Sequence, residues 1–173
     1  PLSMNNLAGD LQVSFDTVKD WLKLLEHFYL IFRLSPWSKK ISRSLLKEKK
    51  VYIYNYPQIL DYSVRFENMV ALELLRAVNH WNENGWGNFA LHYLRNKDKR
   101  EVDFLITQDH QPILMVEAKS SDDQVDENLK YFQSMLGIPV VQLVNKEDVY
   151  KIVAYGKQKV LVVTAHRWLS SLP

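Results

Sequence analysis

The feature that most constrains this chain is a pair of strand-like segments, each of which carries a carboxylate that would face the other across a hairpin. The segments are Arg100–Ile106 and Ile113–Lys119, and the turn-forming residues 108–112 join them as a hairpin. If the hairpin folds about the middle of that turn, Asp103 stands opposite Glu117. The pattern therefore predicts two opposed carboxylates on neighbouring strands.

Opposed carboxylates of this kind need a partner. They repel one another and destabilise the strand pair, whereas a divalent cation between them would turn the repulsion into binding, because Mg²⁺ prefers hard oxygen ligands. We therefore expect Asp103 and Glu117 to be metal ligands. Without a metal, one of them should resist ionisation, since a like charge at short range raises a pKa. Lys119 shares a face with Glu117 by strand alternation and is placed to orient a water or a phosphate oxygen.

The alternative to a functional site is a surface hairpin with solvated charges. Against this alternative, Glu117 follows the apolar run 113–116 and so should end a buried strand. A charge at such a position needs a partner. Both interpretations stay open on the sequence alone.

The N-terminal part has the pattern of helix, turn, helix and strand. Residues 6–11 close a short helix, and Ser14 is a good N-cap for a helix over 15–28. A strand-like segment, 29–34, follows. This order predicts a winged-helix-like unit over about residues 1–50. The second helix has a net charge of −1, which argues against recognition of bases in a DNA groove by this helix.

The remainder, residues 51–173, mixes strands and helices irregularly, which predicts an α/β or α+β domain with a mixed sheet flanked by helices. Strands are expected at 51–54, 89–95, 140–144, 150–154 and 160–164, beside the two hairpin arms. Helices are expected at 66–80, at 122–136 (capped by Ser120 or Ser121 and ended by Gly137), and around Trp168. The expected core residues are Val18, Leu22, Leu25, Val70, Leu74, Val116 and Val141.

Positive charge is concentrated in one block. Between Arg33 and Lys50 there are seven basic residues and one acidic residue, in a chain whose net charge is +2. Such a block can contact nucleic-acid phosphates, or it can be a solubilising loop or an interdomain contact. The phosphate-binding candidates are Lys39, Lys40, Arg43, Lys47, Lys49 and Lys50.

Composition excludes several classes of protein. The chain of 173 residues has no cysteine, which excludes disulfides and thiolate metal sites and fits a cytoplasmic location. No apolar run approaches the ~20 residues that span a membrane, so no membrane partner is expected. No Gly-x-x-x-x-Gly-Lys-Ser/Thr run occurs, so no P-loop nucleotide site is expected.

Asp103 followed by Glu117-x-Lys119 resembles the active-site pattern of the PD-(D/E)xK nuclease superfamily. In that superfamily a helix before the hairpin often supplies another carboxylate, and the resemblance implies Glu67 for that role. It implies a catalytic set of Glu67, Asp103, Glu117 and Lys119, with Mg²⁺ as the cofactor.

The whole chain, over about residues 3–171, also resembles the C-terminal region of a group of prokaryotic AAA+ ATPases, with a winged helix and a restriction-endonuclease-like domain. The matching residues are Leu7-Ala8, Val13-Ser14, Thr17-Val18, Leu22, Leu25-Glu26, Phe66–Leu75, Tyr93–Arg95, Glu101–Phe104 and Val116–Lys119. One departure is Asn55, which stands where that group tends to have an Asp. The resemblance implies a fragment of a longer protein whose ATP-binding module is absent here.

Two functions follow from these resemblances. The first is an accessory module that joins its own ATPase module to DNA or to another protein, and this is the function we favour. The second is an active Mg²⁺-dependent nuclease that uses Asp103, Glu117 and Lys119.

Overall fold

The computed structural model describes residues 2–38, 48–121 and 123–173. The N-terminal unit consists of helix α1 (Met4–Asp10), helix α2 (Phe15–His27), strand β1 (Ile31–Leu34) and strand β2 (Lys50–Ile53). The Ser14 hydroxyl caps α2 by accepting the Thr17 N–H at 3.0 Å, as predicted. Apolar side chains spaced three and four residues apart on α2 face the small core of this unit, which includes Ala8, Val18, Leu22 and Ile31.

Strands β1 and β2 pair antiparallel, with Phe32 opposite Tyr52. Together with the two helices they give the order helix, helix, strand, strand, and the pairing extends the N-terminal unit past residue 50. The proposed division at residue 50 stays a prediction. The far edge of β2 is anchored to the rest of the protein by Asn68, whose side chain accepts the Ile53 N–H at 2.9 Å and donates to the Ile53 carbonyl at 2.8 Å.

The remaining elements form a mixed α+β structure. A 3₁₀ turn (Tyr56–Gln58) precedes α3 (Tyr62–Glu83), β3 (Phe89–Arg95), β4 (Glu101–Gln108), β5 (Gln111–Lys119), α4 (Glu127–Leu136), β6 (Val140–Val144), β7 (Tyr150–Tyr155), β8 (Gln158–Thr164) and α5 (Ala165–Leu169). Within the described ranges the larger sheet has the strand order β3-β4-β5-β6-β8-β7. The neighbours β5, β6 and β8 run parallel, and the other pairs are antiparallel.

Helices cover both faces of this sheet. On one face α3 contributes Val70 and Leu74, which pack against Phe104 of β4. On the other face Leu129 of α4 packs against Leu105 of β4. Neighbouring residues of β4 thus enter different cores, because side chains alternate along a strand. Most predicted core residues are buried, whereas Leu25 is only partly buried.

The β4–β5 hairpin is tighter than the predicted five-residue turn. The strands continue to Gln108 and Gln111, and only Asp109 and His110 form the turn, with φ of 49° and 65°. A register shift after Ile106 compensates for the shorter loop. Phe104 therefore still faces Val116, and the carboxylates beyond that pair stand opposite one another as predicted.

Two helix starts differ from the prediction. Helix α3 begins four residues early, because Asp61 caps it by accepting the Val64 N–H. Helix α4 begins at Glu127 rather than 122, and its cap is Asp126 instead of Ser120 or Ser121. Gly137 ends α4 in the left-handed conformation, as expected for a C-cap glycine.

Among the described residues, no helix has the combined length and apolar character needed to cross a membrane.

Asn68 provides a test of how β2 is held. An Asn68→Asp substitution keeps the acceptor for the Ile53 N–H but removes the donor to the Ile53 carbonyl and buries a charge. We expect the free energy of unfolding to fall by about 2–3 kcal/mol in urea denaturation. Asn79→Asp, an exposed position on the same helix, is the matched control. Equal unfolding midpoints for the two variants would contradict this role for Asn68.

Candidate functional site

The opposed carboxylates of Asp103 and Glu117 are each bonded to the backbone of the other strand. Glu117 Oε2 accepts the Asp103 N–H at 3.1 Å, and Asp103 Oδ2 accepts the Ala118 N–H at 3.2 Å. Both side chains are largely buried. The continued register of the β4–β5 ladder brings them together, so the strand pattern correctly located this pair.

A lysine from the N-terminal unit occupies the centre of the acidic group. Lys50 Nζ lies 3.0 Å from Glu67 Oε1, 2.9 Å from Glu101 Oε1 and 2.9 Å from Asp103 Oδ1. Its residue is 8% exposed, so the ammonium is removed from solvent. We define the acidic cluster as Glu67, Glu101, Asp103, Glu117 and Asp126, together with the cations Lys50 and Lys119.

Strand alternation explains how β2 delivers this ammonium. Lys50 and Tyr52 are two residues apart and therefore share a face of the strand. The Tyr52 hydroxyl donates to Glu67 Oε1 at 2.8 Å. The predicted assignment of Lys50 to nucleic-acid phosphates is wrong, because its charge is buried against carboxylates. In the sequence, only the two-residue spacing between Lys50 and Tyr52 indicated that the Lys50 side chain points into the protein.

Lys119 forms the second positive part of the cluster. Its Nζ lies 3.1 Å from Glu117 Oε1 and 2.8 Å from Asp126 Oδ2. Asp126 also caps α4 by accepting the Asn128 N–H. The structure thus brings together the four predicted catalytic residues, and it adds Lys50, Tyr52, Glu101 and Asp126 to them.

Burial and like charge raise the pKa of both opposed carboxyls. For Asp103, loss of solvent is the largest cause, and the Glu67 charge adds to it. Burial and the charge of Asp103 raise the pKa of Glu117 to about 8. At neutral pH the pair therefore tends to hold a proton, which reduces the repulsion across the strands.

For the two lysines, attraction to neighbouring carboxylates has a larger effect on the pKa than burial does. Burial alone would lower the pKa of Lys50, but attraction to Asp103 and Glu67 outweighs it and raises that pKa. Attraction to Glu117 likewise outweighs burial and raises the pKa of Lys119. Both ammonium groups therefore stay charged over the physiological range.

The carboxylate oxygens of the acidic cluster have few free positions for a metal ion. Each oxygen of Asp103 and Glu117 already contacts an N–H group or an ammonium of the chain. Within the described ranges, no group of three or more His, Cys, Asp or Glu side chains is arranged to hold a metal. Lys50 instead provides the positive charge beside Asp103.

A surface cleft of about 420 Å³ reaches this cluster. Leu2 and Val64 line it together with the partly exposed carboxylates of Glu67 and Glu101. The acidic cluster is thus buried at Glu117 and accessible from the Glu67 side.

The rest of the basic block divides into two parts. Lys39, Lys40, Arg43 and Lys47 lie outside the described residues. Lys49 is partly exposed, and Arg33 contacts the carboxylate of Glu26. Of the two phosphate-binding candidates within the described ranges, Lys49 is partly exposed and Lys50 is buried.

Comparison with known proteins assigns the chain to a family. The model described as domain of unknown function DUF4143 matches residues 65–171, which is more than half of the chain. The chain belongs to the DUF4143 family. A second model, domain of unknown function DUF8612, matches residues 1–56. No curated protein and no solved structure matches the chain.

The two matched segments divide the acidic cluster. The DUF4143 segment contains all five carboxylates and Lys119, whereas Lys50 and Tyr52 come from the DUF8612 segment. Formation of the complete cluster therefore requires both segments in contact.

The raised pKa of Glu117 predicts a specific pH dependence. Its folded-state pKa, about 8, lies above the unfolded value near 4.5, so the folded state binds more protons in between. Stability should therefore fall as pH rises through this window, by up to about 1.4 kcal/mol per pH unit. Glu117→Gln removes the titrating group, and we expect a flatter dependence of unfolding free energy from pH 5 to 8.

The exposed carboxylate of Glu147 supplies the control for this measurement. Glu147→Gln should leave the wild-type slope unchanged. The assignment fails if the Glu117→Gln slope matches that of the wild type.

Proposed function

We propose that this chain is a C-terminal accessory module of a prokaryotic AAA+ ATPase, in which a nuclease-like domain mediates interaction with DNA or a protein and does not cut nucleic acid. The observation that supports the non-catalytic role is the position of Lys50. Its ammonium contacts Glu67, Glu101 and Asp103 within 3.0 Å. A tethered cation thereby takes the place in which a nuclease of this type would need a divalent ion.

Physical chemistry favours the lysine over Mg²⁺ at this position. Mg²⁺ requires near-octahedral oxygen ligands at about 2.0–2.1 Å and gives up its water reluctantly. To bind between Asp103 and Glu117, it would have to displace donors that already contact their oxygens. Displacing Lys50 would also leave a charged group without its partners in a buried place, which is strongly unfavourable.

The link to an ATPase rests on the sequence resemblance described above. On this proposal the partners are the protein's own ATPase module and either DNA or another protein, in the cytoplasm. The exposed position of Lys49 is compatible with phosphate contact. The buried position of Lys50 instead supports a structural role for the acidic cluster.

The second candidate function is a Mg²⁺-dependent nuclease. It is favoured by the mutual contacts of the Asp103–Glu117 pair and by Lys119, which touches Glu117 at 3.1 Å. Asp103 and Glu117 would hold the ion, which would acidify a bound water and stabilise charge on the phosphate. Lys119 would orient that water, and Glu67 would assist. This function requires Lys50 to leave its carboxylate partners.

A cleavage assay separates the two functions. Labelled single- and double-stranded DNA and RNA are incubated with the wild type in Mg²⁺ or Mn²⁺, and thermal melting is recorded with the same ions. We expect no metal-dependent cleavage and no metal-dependent rise in melting temperature, because Lys50, Lys119 and backbone N–H groups already contact the oxygens of Asp103 and Glu117.

Two variants complete the design of this assay. Asp103→Asn removes a central carboxylate, and Asp109→Asn changes an exposed carboxylate in the β4–β5 turn. Metal-dependent cleavage by wild type and Asp109→Asn, but not by Asp103→Asn, would refute the accessory proposal in favour of the nuclease.

A further inference from the structure

The N-terminal unit contains a second cleft, which we call the N-terminal cleft and which shares Leu2 and Val51 with the cleft at the acidic cluster. It has a volume of about 540 Å³, within the ~300–1,000 Å³ typical of ligand pockets. It lies among α1, α2 and the β1–β2 pair. None of the carboxylates of the acidic cluster lines it.

The floor of this cleft is apolar. The side chains that form it are those of Leu2, Met4, Phe15, Leu22 and Val51. Phe15 is 41% exposed at the start of α2. Covering such a surface contributes about 25 cal/mol per Å² of apolar area removed from water, so the floor favours a ligand with apolar side chains.

The walls of the cleft are mainly positive. They contain four cations, and Glu48 is their one anion. Lys23 contacts Asp20, and Arg33 contacts Glu26. The other two, Lys19 and Lys49, form no ion pair within the described part of the chain. Since Lys23 and Arg33 are paired and Glu48 offsets one further cation, the cleft keeps a net charge of +1, which favours a ligand that carries carboxylates.

Arg33, which lines the cleft, has one donor without an acceptor among the described residues. Its Nε is buried and has no hydrogen-bond partner among the described residues. A buried donor without an acceptor costs about 1–3 kcal/mol. Because this atom is enclosed by the protein, a ligand carboxylate in the cleft would accept its hydrogen bond only after the Arg33 side chain turns outward.

We propose that the N-terminal cleft binds a protein partner through a short peptide segment in which acidic side chains flank apolar ones. The proposal rests on the accessory role proposed above and specifies the class of partner. A protein segment fits better than DNA, because the apolar floor matches aliphatic side chains.

The test uses fluorescence anisotropy with labelled peptides and the whole chain. The probe is Glu-Leu-Glu-Asp-Leu-Glu, and its matched controls replace both Leu by Ser or every acidic residue by Lys. We expect saturable binding of the probe, at least about tenfold weaker binding of each control, and weakening of the probe complex with added salt.

Charge-reversal variants locate the binding site. Lys19→Glu combined with Lys49→Glu should weaken probe binding at least about tenfold. Lys97→Glu combined with Lys157→Glu, two exposed positions elsewhere, should leave it unchanged. Thermal melting of both double variants verifies that they are folded. Equal probe binding by the two double variants would overturn the proposal.

Two other outcomes would also overturn it. One is the absence of saturable probe binding at ~1 mM protein. The other is a labelled DNA duplex that binds through Lys19 and Lys49 while the peptide does not, which would make the cleft a nucleic-acid site. These outcomes differ from metal-dependent cleavage, which would refute the accessory role itself.

Discussion

The ion pairs of Lys50 with three carboxylates are the interaction on which the rest of this structure depends. The lysine belongs to β2, and the carboxylates belong to α3 and β4. The N-terminal unit and the larger sheet therefore share one buried charge cluster. Removing one member of a buried ion pair typically costs about 3–5 kcal/mol, because its partners are left uncompensated. The same contacts thus fix the position of β2 and offset part of the negative charge of the acidic cluster.

The cluster remains rich in negative charge even with its lysines. Its five carboxylates contact Lys50 and Lys119, while Arg95 contacts Glu101 from outside the cluster. A proton on the Asp103–Glu117 pair lowers the remaining repulsion. Lys50, Lys119, Arg95 and one proton together offset four of the five carboxylate charges, which reduces the need for a divalent ion. This balance is the physical basis of the accessory role.

Local patterns predicted much of the fold. Strand alternation located the Asp103–Glu117 pair, and the Ser14 and Gly137 caps marked helix ends correctly. Local patterns did not locate the start of α4, because the competing Ser120 and Ser121 are equally good caps and the choice of Asp126 depends on tertiary contacts. Gln142 of β6 accepts the Asp126 N–H at 3.0 Å. The role of Lys50 depends on contacts across 17 to 53 residues, which no local pattern contains, so its position within a basic run suggested phosphate binding instead.

Anomalous diffraction from a crystal soaked in MnCl₂ tests the central claim most directly. Data collected at the manganese absorption edge show whether an ion or the lysine lies beside Asp103. We predict density for Lys50 Nζ among Glu67, Glu101 and Asp103, with no anomalous peak at the cluster. An anomalous peak within about 2.0–2.4 Å of carboxylate oxygens from Asp103 and Glu117, with Lys50 turned away, would contradict the account.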